Sequence, residues 1–257
     1  MGRHVLKKRV IPVLLLRDGR MVKGVQFGNY RDTGNPATAV RIYSAQDADE
    51  LVFLDIQASL HSRQALVAVV REAAAECFMP LAAGGGISAI ADVRDLLLAG
   101  ADKVIVTTAA VTMPSLITQI AERYGAQCVV AGIDYRTGPE GARVWIRCGT
   151  EPTSLDPVAH AINLVKLGAG EILVNSIDRD GIMQGYDLAM ARELAEAVSV
   201  PVIVCGGAGN FMHLVELLRD THASGAACAS LFHFGDNNPI RARSYLRNLG
   251  IPMRVLK

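Results

Sequence analysis

At 257 residues, 51% of them hydrophobic and only 5% aromatic, the chain is long enough for one large aliphatic core and fits the length of a single α/β barrel. A formal net charge of +1 gives no electrostatic footprint for nucleic acid or an anionic membrane. Cys77, Cys128, Cys148, Cys205 and Cys228 form an odd set without C-x-x-C spacing, which argues for a reducing cytoplasm and against a disulfide framework or a zinc site.

In chain order, Arg3, Lys7, Lys8 and Arg9 precede the apolar run Val10 to Leu16. That run is too short for a spanning segment and is followed by Arg17-Asp18 instead of a cleavage site, so it predicts a first strand over 10–15 in a soluble chain. Arg17 to Pro36 shows little hydrophobic period and predicts a long mobile lid. Within it, Lys23 either brings a cation over a phosphorylated substrate or is a solvated side chain. A helix is expected at 37–47, then a strand at 51–55 and a helix at 62–77. There Leu66, Val67, Val69, Val70 and Ala73 make an apolar face, while Arg63, Arg71 and Glu72 stay wet. Strands at 81–84 and 103–107 alternate with helices at 89–98 and 113–124. The second half predicts strands at 128–133, 171–175, 201–205 and 225–229 and helices at 155–167, 187–198, 210–219 and 238–248. Pro114 and Pro157 fall where a first helical turn tolerates proline.

The two halves resemble each other. Val10-Ile11-Pro12-Val13-Leu14-Leu15 corresponds to Val129-Val130-Ala131-Gly132-Ile133-Asp134, Glu50 to Glu171, and Gly84-Gly85-Gly86 to Gly206-Gly207-Ala208, each about 120 residues apart. This exceeds solenoid periods. Eight βα units in two similar halves, about 8–124 and 127–250 within one domain spanning 1–257, predict a closed (β/α)₈ TIM barrel, with an open doubly wound sheet as the alternative.

A barrel places its chemistry after the C-terminal ends of the strands: Leu15 to Arg20, Asp55 to Ser59, Gly84 to Ile87, Thr107 to Ala110, Asp134 to Arg136, Asn175 to Gly181, Cys205 to Gly209 and Ala229 to Phe232. Gly84, Gly85 and Gly86, and Gly206, Gly207 and Gly209, let backbone N–H groups approach an anion, or else make tight turns. Thr107, Thr108, Ala229 and Ser230 add hydroxyl and backbone donors. Two such sites would hold a ligand with a phosphate at each end. Asp134, a carboxylate ending an apolar strand, is the candidate acid–base group, with a turn cap as the alternative. Asp55 reads as hydrogen-bonding support, and Asp180-Gly181 as a turn beside Asp178. Arg9, Glu50, Lys103 and Glu171 gather at strand beginnings, where they would neutralise one another as a salt-bridge plug. The six histidines show no metal spacing; no P-loop lysine, G-x-S-x-G elbow or cofactor motif occurs. Met79, Met183 and Trp145 read as packing or loop residues.

Several stretches are specific: Arg17-Asp18-Gly19-Arg20 with Val22-Lys23-Gly24, Asp49-Glu50-Leu51-Val52-Phe53-Leu54-Asp55, Gly100-Ala101-Asp102-Lys103-Val104, Gly168-Ala169-Gly170-Glu171-Ile172-Leu173, Ser176-Ile177-Asp178-Arg179-Asp180-Gly181 and Gly206-Gly207-Ala208-Gly209. With these, the chain resembles the cyclase subunit of imidazole glycerol phosphate synthase, of histidine biosynthesis, from about Lys8 to His233. The resemblance implies a lyase acting on a bisphosphorylated ribulosyl ribonucleotide, and a glutaminase subunit docked on the N-terminal face, with Asp102 at the contact. Ammonia would enter through a gate of Arg9, Glu50, Lys103 and Glu171 and close the imidazole ring beside Asp134. Phosphate binding is implied for Lys23, Gly84, Gly85, Gly86, Thr107, Thr108, Asp180, Gly181, Gly206, Gly207, Ala229 and Ser230.

The family pairs two strand-end aspartates, and the second falls at Leu15. It also has asparagine at Thr107, threonine at Gln57 and Asn175, and serine at Cys205. Asp18, three residues on, is a possible substitute acid. Two expectations follow: a cyclase that tolerates Leu15, or a paralogue that passes ammonia to a third enzyme, as in sugar amidination for surface polysaccharides including lipopolysaccharide. A phosphosugar isomerase is a weaker third reading, because it has no use for an ammonia gate.

Overall fold

In the computed structural model, residues 7–57, 60–233 and 235–254 are described; Ser59 and Arg3 lie outside them. The first half runs β1 (Arg9–Arg17), β2 (Arg20–Val25), β3 (Gly28–Gly34), α1 (Pro36–Ala45), β4 (Leu51–Asp55), α2 (Leu60–Glu76), β5 (Leu81–Gly84), α3 (Ile90–Leu98), β6 (Lys103–Val106), α4 (Thr108–Thr112) and α5 (Ser115–Tyr124). The second runs β7 (Val129–Gly138), β8 (Gly141–Ile146), β9 (Glu151–Pro152), α6 (Pro157–Lys166), β10 (Glu171–Ser176), α7 (Leu188–Ala197), β11 (Val202–Cys205), α8 (Phe211–Asp220), β12 (Gly225–Cys228), α9 (Ser230–His233) and α10 (Pro239–Asn248). Among the described residues no helix is long and apolar enough to cross a membrane.

Strands β1, β4, β5, β6, β7, β10, β11 and β12 pair in parallel, and the circle closes where β12 lies on β1. This is a (β/α)₈ barrel, and the open sheet is excluded. Alternation along each strand divides the apolar residues into two separate clusters. Val10, Leu14 and Leu16 of β1 pack outward against helices. Ile11 and Val13 point to the axis with Val52, Ala82, Ile105, Val130, Leu173, Ile203 and Ala227, and Leu15, Leu54 and Ala229 lie against that column. Pro12 sits in β1 where pairing to β12 ends, at Pro12–Cys228, and pairing to β4 begins, at Val13–Val52, so its missing N–H costs little.

The structure corrects the expected loop over Arg17 to Pro36, which is the antiparallel hairpin β2–β3 continuing from β1. Its turns were hard to read. Asp18-Gly19 is an ordinary two-residue turn with φ of 50° and 73°, but the second turn places Gln26 and Phe27 at 51° and 62°, where neither glycine nor asparagine announces it. A second hairpin, β7–β8, extends β7 past the barrel rim and carries Trp145 opposite Asp134. The helix expected over 113–124 is preceded by the separate short helix α4, and α9 stands in the corresponding place after β12.

The glycines after β5 and β11 are demanded by packing. A Cβ on Gly85 (φ 110°) would stand 2.2 Å from the Asp55 carbonyl oxygen, and one on Gly207 (φ 111°) would stand 2.0 Å from that of Gly185. Gly85→Ala is expected to lower stability by about 2–4 kcal/mol through strain and displaced backbone, read as a lower urea midpoint with an unchanged slope.

Candidate active site

The two mouths of the barrel carry different chemistry. At the N-terminal mouth, Arg9 Nη1 bonds Glu50 Oε2 at 2.7 Å and Arg9 Nη2 bonds Glu171 Oε1. Lys103 Nζ reaches both oxygens of Glu50 at 3.0 Å and Glu171 Oε2 at 2.7 Å. Each cation therefore holds both anions, and the four-membered ring closes the axis. Glu50 and Glu171 are buried, while Arg9 and Lys103 keep their outer edges wet. A cleft of about 340 Å³ lies outside, lined by Lys7, Arg9, Lys103, Glu171 and Arg254 among others. Asp102 is exposed on the same face, where its Oδ2 accepts from Leu81 N at 2.8 Å.

At the C-terminal mouth, Asp134, Asn175 and Cys205 stand in register on neighbouring strands. Asp134 keeps some contact with solvent but is otherwise enclosed. Burial, reinforced by the charge of Asp180 and opposed by a hydrogen bond from Asn175, pushes its carboxyl up to about 7. Two buried acceptors here, Asn175 Oδ1 and Asp180 Oδ2, have no hydrogen-bond partner in the protein.

Lys23 is 2% exposed and donates to Asp180 Oδ1 at 2.6 Å, so it is neither a solvated lysine nor a free cation over the mouth. Asp180, expected as turn chemistry, is its buried counter-ion. The same contact docks hairpin β2–β3 across the mouth, with Gln26 N on the Asp180 carbonyl and Gln26 Nε2 on that of Asp178, both at 2.9 Å. The ring of Phe27 meets bare Gly149, beyond β8. Leu15 shares the mouth as an apolar side chain in register with Leu54 and Val22. Asp18 is exposed at a hairpin turn, its carboxylate accepting from Gln57 Nε2 at 3.2 Å. Asp55 is buried and accepts from Gln57 N at 2.7 Å, which fits a support.

The candidate anion groups fall into two sets. Gly84 to Gly86 lie beside the start of α4, where Thr107 covers bare Gly132 and the Thr108 hydroxyl accepts from Arg147 N at 3.0 Å. Gly206 and Gly207 lie beside the start of α9 at Ser230, one strand over. Gly181 is packed under the Gly24 carbonyl. Two mouth residues escaped sequence reasoning, Tyr30 and Cys148. Asn175 was visible only as a strand-end amide. Tyr30 and Cys148 sit on hairpins whose turns lack clear signals. Burial and then the negative charges of Asp134 and Asp55 push the Cys148 thiol up to about 11, while its Sγ bonds the Ile56 carbonyl at 3.1 Å.

The family described as "Histidine biosynthesis protein" matches residues 9–238, nearly the whole barrel. The chain belongs to that family. Its histidine-biosynthesis members include the cyclase subunit named above, and the match begins at Arg9 of the charged ring and ends at Asn238, which caps α10.

Because the folded-state pKa of Asp134 lies above its ordinary value of 3.8, burial works against folding once the unfolded chain ionises. The cost is absent below about pH 4, grows between about 4 and 7, and is complete above that. Asp134→Asn should therefore be neutral near pH 4 and stabilising at pH 8, on the order of 4 kcal/mol. Urea unfolding at the two pH values checks this, and equal effects at both would refute the assignment.

Proposed function

We propose that the chain is an ammonia-using cyclase subunit of this family, binding a bisphosphorylated ribonucleotide at the C-terminal mouth and receiving ammonia from a glutaminase on the N-terminal face. The observation that carries the reading is the axial arrangement of a charged ring, an apolar column and the strand-end carboxylate of Asp134 with spare acceptors beside it. Ammonium would lose its hydration in a column lined by Ile11, Val52, Ile105, Val130 and Leu173, whereas neutral ammonia is small and tolerates it. Lys103 is the natural moving part of the ring, since Arg9 alone still holds Glu50 and Glu171 together.

At the other end, Asp134 titrates near neutrality and so is suited to exchange protons with an incoming amine. Asn175 Oδ1 and Asp180 Oδ2 are acceptors for its N–H groups. The α4 and α9 starts, with their glycine loops, are the places for the two phosphates, and a phosphate after the last two barrel strands at a short extra helix is a common barrel arrangement.

A second reading is favoured by Leu15, which gives Asp134 no carboxyl partner from β1. In it, the barrel keeps the ammonia entrance and passes ammonia to a third enzyme. Ammonia-dependent turnover of the bisphosphorylated ribonucleotide at high pH, by the purified chain and by Leu15→Asp, decides between them. Turnover by the natural chain is expected. A natural chain that is inert while Leu15→Asp gains activity of about 10²–10⁴-fold would establish the second reading.

A further inference from the structure

Three residues at the mouth take no part in the chemistry above, and they close on one another as a clasp. Gln26, at the turn of hairpin β2–β3, donates from Nε2 to the Asp178 carbonyl at 2.9 Å. The Asp178 carboxylate faces Arg136 of β7, Oδ1 to Nη1 at 3.6 Å, and Arg136 Nη2 returns to the Gln26 carbonyl at 3.5 Å. The clasp joins the tip of that hairpin to β7 and to the turn after β10.

The root of the hairpin is held differently. Lys23 and Asp180 are buried and 2.6 Å apart, whereas the side chains of Arg136 and Asp178 are 33% and 38% exposed and stand beyond hydrogen-bond length. Water and salt reach this second pair, so it contributes little and exchanges easily. The Arg136 guanidinium is nonetheless oriented. Its Cζ lies 5.2 Å from the centre of the Trp145 ring, and its Nε is enclosed without a partner. A guanidinium held on an aromatic face with donors to spare is a planar fork that matches phosphate oxygens. Trp145 pairs with Asp134 across β7–β8, and Arg136 follows Asp134 by two residues, so the three side chains share one face of that hairpin. Strand β7 lies between β10, which leads to Asp178, and β6, which leads to α4. A guanidinium that leaves Asp178 therefore turns toward the α4 side of the mouth.

We propose that Arg136 is the entry residue of the mouth: its guanidinium exchanges the Asp178 carboxylate for a phosphate group of the ligand and so loosens the tip of hairpin β2–β3. The proposal rests on the reading of the mouth as a site for a phosphorylated ligand. A phosphomonoester carries more charge than a carboxylate and offers the fork two oxygens where Asp178 offers one distant one, so it wins the exchange. As Arg136 turns, the Gln26 carbonyl loses its donor and Asp178 its counter-ion, while Lys23 keeps the root in place. Tip and root thus respond separately to the ligand. Trp145, the only tryptophan of the chain, reports the exchange through its emission, because the cation moves on its ring face.

The test titrates the full chain with ribose 5-phosphate at constant ionic strength, reading binding by calorimetry and the exchange by Trp145 emission. The natural chain should bind the probe with a saturable emission change at the same midpoint. Arg136→Gln should weaken binding by about ten- to a hundredfold and abolish the emission change. Asp178→Asn keeps an oxygen for Thr137 N, and by freeing Arg136 it should tighten binding by up to about fivefold. That gain should vanish in the double variant, since Asp178 acts through Arg136. Binding that Arg136→Gln leaves unchanged, a silent Trp145, or an Asp178→Asn gain that persists without Arg136 overturns the proposal and leaves the phosphate reading standing. No binding by any of the four chains overturns both.

Discussion

A closed sheet of eight strands has room inside for only the side chains that its own alternation points inward, and the axial order of ring, apolar column and strand-end carboxylate follows from that constraint. In β1 the inward set is Arg9, Ile11, Val13 and Leu15, one residue for each level of the axis. The first level must neutralise its own charge, because two cations and two anions are brought together with little water; the ring of four ion pairs does this internally. The middle levels are filled by aliphatic side chains, which makes the interior an apolar column that excludes water and ions. The last level meets the loops, and there one carboxylate on β7 stands where β1 offers leucine.

The C-terminal mouth is shaped by two hairpins that the barrel itself does not require. Both grow from strands that run past the rim, β1 and β7, and they meet where Phe27 packs on Gly149. Four non-glycine residues, Gln26 and Phe27 at the β2–β3 turn and Arg147 and Cys148 in the turn from β8 to β9, take positive φ, which costs backbone energy in each case. The strain is held by docking: Lys23 with Asp180, Gln26 with the 178–180 backbone, and Arg147 N with Thr108. The Lys23–Asp180 pair dominates, since a buried lysine without its counter-ion is far more costly than any exposed contact.

The barrel was legible because its signals are local and repeated. Alternating aliphatic runs, glycines after β5 and β11, and the recurrence of Glu50 at Glu171 place strands and axis together. The hairpin β2–β3 was not legible, because the buried residues of β2, Met21, Val22, Lys23 and Gly24, run consecutively without a strand period, and its second turn uses αL backbone at Gln26 and Phe27. Lys23 shows the cost of that gap. In the sequence it is a charge on a featureless stretch, and only the fold brings Asp180, 157 residues away, to meet it. Tyr30 was hidden for the same reason, while Asp134 was plain from its place at the end of an apolar strand.

Leu15 gives the site its direction. A carboxyl there would face Asp134 from the barrel wall and be present whether the mouth is open or shut. With leucine there, β1 offers Asp134 no carboxyl partner, and the groups that act on it are Asp180 and Asn175, the former tied by Lys23 to hairpin β2–β3. The leucine also extends the apolar column by one level, from Val13 to the rim, which under the proposed reading keeps neutral ammonia desolvated until it reaches Asp134. Leu15 thus joins the apolar column to the covered mouth, where a carboxyl would have brought charge and water to the rim.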